Sequence, residues 1–286
     1  SAGSIPTYVN YILPASFLLF SLYFRHSSNF WVKISSFVSF VFAVMQEQLA
    51  IYAFLWIVFE LIRDWKINSN RNWNILFVVV ASLGILSAKL APGNAIRFMK
   101  NVNSWFPNFI NLNSIQKVGL GILETGDGLL SVSFAFVILF LIVSIILSIY
   151  KNKFTTLILS IVVLLSVLSH KFEWRSVLFT LSAVSKLARE SGTFDFNLVY
   201  FGAVLFYFVI LFILLFIIWS LSDSTDKVWL SYLFIIGLLG RMVISFSPTL
   251  YASGTRTYLP IMLSVFIITC KFINVIYLMM KHRKIN

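Results

Sequence analysis

Apolar residues in this chain come in long unbroken runs, not in the three-and-four spacing of a helix that shows one face to water. Read in order, the runs cover about Tyr8–Tyr23, 30–45, 49–62, 73–90, 128–150, 154–169, 198–220, 228–246 and 259–280. Most approach the roughly 20 apolar residues that a membrane-crossing helix needs. In lipid a helix satisfies its backbone polar groups within one segment. The ten-residue alternation of a barrel strand is not seen. The pattern predicts an all-α fold, a polytopic helical membrane protein with about nine transmembrane helices in a single domain.

The stretch from Phe30 to Ile62 is broken only by Lys33, by Gln46-Glu47-Gln48 and by Glu60. As one helix it would reach roughly 50 Å, against a hydrocarbon core about 30 Å thick. It therefore reads as two short spans turning at Gln46-Glu47-Gln48, although no Gly or Pro marks the turn and one long helix is the alternative. Two segments outside the runs have helical character of another kind. In "FEWRSVLFTLSAVSKLARE" (172–190), Trp174, Val177, Leu178, Leu181, Val184 and Leu187 fall near one face, while Ser176, Lys186, Arg189 and Glu190 fall toward another. This is the pattern of a helix lying along the membrane interface, with Lys186 and Glu190 spaced to pair. "SIQKVGLGILETGDG" (114–128) reads as a second such helix, weakened by its glycines.

Composition sharpens the class. Of 286 residues, 59% are hydrophobic and only 11% are charged, too few to coat a soluble domain. The net charge of +12 belongs to cations that flank spans, not to a nucleic-acid face. Arg25, Lys33, Arg63, Lys66, Arg71, Lys151, Lys153, Lys227, Lys281, Arg283 and Lys284 gather in short segments on one side, which the positive-inside rule makes cytoplasmic. The N-terminus of the chain is then outside and the C-terminus inside. One cysteine, Cys270, excludes an internal disulfide.

The other side collects the candidate chemistry, in long segments at about 93–127 and 170–197 and a shorter one at 247–258. Glu47 sits at the turn of two short spans, slightly sunk in the outer leaflet, where a carboxylate must be paired or wet. Burial there would raise its pKa and suit it to deprotonate a sugar hydroxyl as a general base. The bland alternative is an ordinary polar turn. In "KLAPGNAIRFMK" (89–100) a Pro-Gly turn is followed by Asn94, which tolerates unusual dihedrals. A helix starting there would offer amides to an anion, with Lys89, Asn94 and Arg97 as phosphate ligands; contact with lipid headgroups is the alternative. Arg256 stands in the rigid loop "SFSPTLYASGTRTYLP" (245–260), with Arg241 before it expected to face the bundle interior. Arg175 and Lys186 supply further charge for a phosphate. Lys271, inside the last run, reads as a lysine that snorkels. His170 and Glu173 are a weak metal pair. Glu124 and Asp127 either hold a divalent ion with a diphosphate or cap a loop. No Walker loop, dinucleotide fingerprint or nucleophile elbow is present.

"SAGSIPTYVNYILP" at the start, Glu47 between two apolar runs, "APGNAIR" (91–97) and "FSPTLYASGTR" (246–256) together resemble an uncharacterised family of bacterial multi-spanning proteins labelled glucosyltransferase-like, itself similar to the GT-C membrane glycosyltransferases. The resemblance implies sugar transfer from a polyprenyl-phosphate donor to an envelope glycan acceptor on the outer face of the cell membrane. The partners are then the lipid-linked sugar, the glycan and membrane lipids, with no nucleic acid. Such enzymes carry an acid in the first outer loop, and this chain has none before Glu47. Either a preceding portion supplies it, the favoured reading since the chain starts at Ser1, or Glu47, Glu124 or Asp127 does. An O-antigen-type polymerase or ligase uses the same lipid-linked sugars. A lipid-linked sugar transporter or flippase is the other alternative; it would need midplane polar groups, which are few here, and an internal repeat, which is not seen.

Overall fold

In the computed structural model of the chain, residues 8–63, 71–130 and 135–283 are described. Lys66, Lys284 and the opening "SAGSIPT" lie outside the described residues. The fold is all-helical, with no strand among the described residues. A single π-helical turn, Tyr8–Ile12, leads into α1 (Leu13–Phe24). Then come α2 (Phe30–Ala43), α3 (Glu47–Arg63), α4 (Arg71–Leu90), α5 (Asn94–Trp105), α6 (Ser114–Leu130), α7 (Ala135–Tyr150), α8 (Phe154–Lys171), α9 (Val177–Ser191), α10 (Leu198–Leu221), α11 (Lys227–Met242) and α12 (Leu259–Arg283).

Among the described residues five helices are long and apolar enough to cross a membrane: Asn72–Leu90, Phe154–Lys171, Leu198–Leu221, Lys227–Phe246 and Gly254–Lys281. They match five of the predicted runs. A sixth span arises if α6 and α7, bent by 66° to one another, count as one. The expected count of about nine is therefore not reached by length and composition. The reason lies at the N-terminal end. Tyr8–Phe24 and Phe30–Ala43 are shorter apolar helices, and α3 has 17 residues, a rise of about 25 Å. Of the predicted run 128–150, residues 135–150 form α7 and residues 128–130 end the helix Ser114–Leu130, while 131–134 lie outside the described residues.

The chain divides into two compact units, one of Ser1–Lys100 with Leu239–Arg241, the other of Asn101–Leu238 with Met242–Asn286. In the first, α1 packs on α2 and α3 on α4. The Ser36 hydroxyl donates to the Ser21 carbonyl (3.0 Å) between α1 and α2. Phe40 and Phe77 pack with tilted rings, centroids 4.4 Å apart, and Lys33 lies 4.8 Å over the Trp73 ring. The expected turn at 46–48 exists without Gly or Pro because Gln46 serves as a cap: its side-chain oxygen accepts from Leu49 N–H (2.6 Å). Gly84 lets α4 approach this turn, since a Cβ there would come within 2.5 Å of the Val44 carbonyl oxygen. Arg25 and Glu60, both buried, form an ion pair. Trp56 Nε1 also donates to Glu60 (2.8 Å). Arg241 is fully buried, as its place in an apolar run predicted.

In the second unit α7 and α8 form a hairpin, α12 packs on α7, and α9 and α10 pack on α6 and α8. One end of this unit is a basic–acidic clasp. Lys151 Nζ lies 2.6 Å from Asp223 and donates to the Leu221 carbonyl (2.7 Å). Lys153 donates to the Ser220 carbonyl. Lys271 finds Asp226 at 2.8 Å, so its charge is paired instead of simply snorkelling. The other end, where α8 finishes and α10 begins, carries the polar groups described next.

Candidate functional site

The site is built on α6. Its glycines, which weaken it as an isolated helix, permit four close approaches. A Cβ on Gly119 would strike the Phe194 ring (2.7 Å), on Gly121 the Ser245 hydroxyl (1.8 Å), on Gly126 the Tyr207 ring (2.3 Å) and on Gly128 the Tyr258 hydroxyl (2.0 Å). Bare backbone is thus the packing surface, and two tyrosines are drawn against the helix beside its only carboxylates. Tyr258 donates to the Glu124 carbonyl (2.5 Å).

Glu124 and Asp127 are three residues apart and project to one side of α6. Against them lies α9, capped at its start by Ser176, which accepts from Phe179 N–H, and closed by Gly192 at φ 62°. Arg189 near its end reaches back to α6. Its Nη2 and Nε lie 2.7 and 3.2 Å from Glu124 Oε2, and Nη2 lies 3.7 Å from Asp127 Oδ2. Ser182, two helical turns earlier, donates to Asp127 Oδ1 (2.5 Å). Ser185 lies between, 3.3 Å from the Tyr207 hydroxyl. The Arg189 guanidinium carbon also sits 5.8 Å from the Tyr251 ring centroid. Burial by itself would lower the Arg189 pKa, but Glu124 and then Asp127 more than reverse that and hold it above its ordinary value. Burial, and next the Glu124 carboxylate, push the Tyr251 hydroxyl well above its ordinary value, so it is a neutral group.

Glu124 is buried and Asp127 half-buried. Two carboxylates face one guanidinium, so the cluster carries a net charge of about −1 when all three are ionised. A divalent ion does not fit between them, because the Arg189 guanidinium already sits against both. Among the described residues no group of three or more His, Cys, Asp or Glu side chains gathers to hold a metal. We derive no metal step.

Glu124 and Asp127 are the residues singled out in sequence that meet in this cluster. Glu47 is exposed on the first turn of α3. The turn at 91–94 takes Gly93 to φ 84°, and Asn94 closes α4 by donating to the Ala88 (2.5 Å) and Lys89 (3.4 Å) carbonyls. Asn94 thus serves α4 as its cap, while Lys89 and Arg97 stand exposed beside it. Because α3 and α4 are antiparallel neighbours, Glu47 and Lys89 belong to the same end of the first unit. Arg256, in the 3₁₀ turn Gly254–Tyr258, is exposed and donates through Nε to the Ser253 carbonyl (3.1 Å). Arg175 and Lys186 are exposed at the start and middle of the α9 region. The helix expected at 172–190 is there, but its buried positions are Leu178, Ser185 and Ala188, while Val177 and Leu187 are exposed. The partner of a carboxylate is Arg189, not Lys186. The sequence signal was the stripe Leu178, Ser182, Ser185, Arg189, a helical line of small and polar groups that an apolar-face search passes over. Tyr207 had no local signal, since a tyrosine in an apolar run is ordinary, and in the loop 245–260 attention went to Arg256 and not to Tyr251 or Tyr258.

No protein-family model, curated protein or solved structure matches the chain.

Proposed function

We propose that the chain is a membrane glycosyltransferase of the GT-C-like kind, transferring a sugar from a polyprenyl-phosphate donor to an envelope glycan. The observation that carries the reading is the Asp127–Arg189–Glu124 cluster, in which one carboxylate is locked by an arginine and the other is left half-buried. In this scheme Asp127 is the general base. An acceptor hydroxyl oxygen attacks the anomeric carbon and gives its proton to Asp127. The bond from that carbon to the phosphate oxygen breaks, and the leaving lipid phosphate takes the electron pair. Glu124 fixes Arg189, and Ser182 orients Asp127. The exposed cations Arg175, Lys186 and Arg256 are the partners offered to the departing phosphate. On this reading the shorter helices α1–α3 also lie in the membrane and bring the set to about nine, with local thinning making up the missing length. The polar end faces outward, so the N-terminus of the chain is outside and the C-terminus cytoplasmic.

The test is envelope glycan analysis of a deletion strain carrying the full gene or its variants. Asp127→Asn is expected to cut transfer by about 10²–10⁴-fold, while Glu47→Gln and Arg97→Ala leave a measurable product. Full loss with Glu47→Gln and none with Asp127→Asn would move the base to Glu47. A glycan unchanged by deletion and by all three variants would end the transferase reading.

A further inference from the structure

Two polar atoms beside this cluster are buried without a hydrogen-bond partner among the described residues: the Tyr251 hydroxyl and His170 Nδ1. Several serine hydroxyls are in the same state, but a helical serine can turn to the carbonyl four residues back. A phenol or an imidazole cannot reach its own helix in that way. Leaving such a group unpaired is costly, and native structures rarely do so without a reason. The position of both is telling. The Tyr251 ring is held from one side by Phe106, centroids 5.3 Å apart, and from the other by the Arg189 guanidinium at 5.8 Å. His170, at the end of α8, packs on Phe179 of α9 with centroids 6.2 Å apart. Phe179 stands one turn before Ser182, so His170 borders the side of α9 that reaches Asp127. Both rings are therefore fixed, and both flank the acid–arginine cluster.

The charge of the cluster says what they would meet. With Arg189 already held between two carboxylates, the cluster has no unpaired cation to offer a phosphate. A neutral ligand whose groups both donate and accept fits better, and that describes the hydroxyls of a saccharide. We infer that Tyr251 and His170 line the acceptor subsite of the proposed transferase, contacting saccharide hydroxyls beside Asp127, and that the lipid phosphate is held away from this cluster. This rests on the reading of the site given above.

The experiment uses the full chain in detergent. Unfolding is followed with and without the methyl glycosides of glucose, galactose, mannose and N-acetylglucosamine, and with inorganic phosphate. Binding to the folded state raises the midpoint. At least one glycoside is expected to do so, and phosphate not. Tyr251→Phe is expected to weaken that glycoside about five- to tenfold, the worth of one hydrogen bond. Without ligand the same variant should unfold no more easily than the parent, because it removes a hydroxyl that had no partner. A merely structural tyrosine would show the reverse. His170→Gln, which removes Nδ1 and keeps a polar end, is the second arm and should weaken the same glycoside. Protection by phosphate alone, no response to any glycoside, or glycoside protection unchanged in both variants overturns the inference. If glycoside binding depends on Tyr251 but Asp127→Asn leaves the envelope glycan intact, the saccharide subsite stands and the transferase reading falls.

Discussion

Arg25 and Glu60 show what a single charged pair costs in this setting. Both are buried, and Trp56 holds the carboxylate from the other side. Removing one partner strands the other charge away from water, which costs about 3–5 kcal/mol. Arg25→Ala should therefore lower the unfolding midpoint sharply. The double change Arg25→Met with Glu60→Met should recover most of the loss, because it removes both desolvation costs together. Denaturant titration of the three variants in one detergent checks this. A double variant as unstable as Arg25→Ala would mean that the pair contributes more than its desolvation takes away.

At the scale of elements, α6 inverts the usual reading of glycine. Its four contact glycines lower its intrinsic helicity by about 1 kcal/mol each, yet each is matched to a bulky neighbour. Gly126→Ala should gain helix propensity and still lose stability, by about 1–3 kcal/mol net, because the new Cβ would overlap the Tyr207 ring. Gly202→Ala on α10 is the control. Nothing lies within 4 Å of its would-be Cβ, so it should gain up to about 1 kcal/mol. The same unfolding measurement reads both. Equal effects at the two positions would mean that close packing on α6 is not what its glycines are for.

Over the molecule, polar groups segregate to the ends of the helices. In the second unit the lysine–aspartate clasp of Lys151, Asp223, Asp226 and Lys271 closes one end, and the Glu124–Asp127–Arg189 cluster occupies the other. The proposed orientation puts the clasp in the cytoplasm. In a Cys270→Ser background, Lys186→Cys should react with a membrane-impermeant maleimide on intact cells. Ser224→Cys, beside the clasp, should react only after permeabilisation. The opposite pattern would reverse the topology and place the cluster inside.

The sequence by itself determined the helical class and the place of the five helices long and apolar enough to span a membrane, because such a helix needs a run of apolar residues that can be counted. It also determined the turn at 46–48, helices within the expected segments 114–128 and 172–190, and the burial of Arg241. These are local or solvation effects, and each is written in consecutive residues. It did not determine the number of spans, since α1–α3 are too short for length to decide. Nor did it show which carboxylates meet an arginine. Glu47 drew attention because it breaks an apolar run, whereas Glu124 and Asp127 sit in a glycine-rich stretch that looks weak until its packing is known. Only the tertiary structure brought α9 against α6. That contact set Arg189 between two acids and Tyr251 against Arg189. Such pairings join residues 55 and 65 positions apart, only loosely constrained by periodicity, and they depend on backbones approaching where side chains are missing.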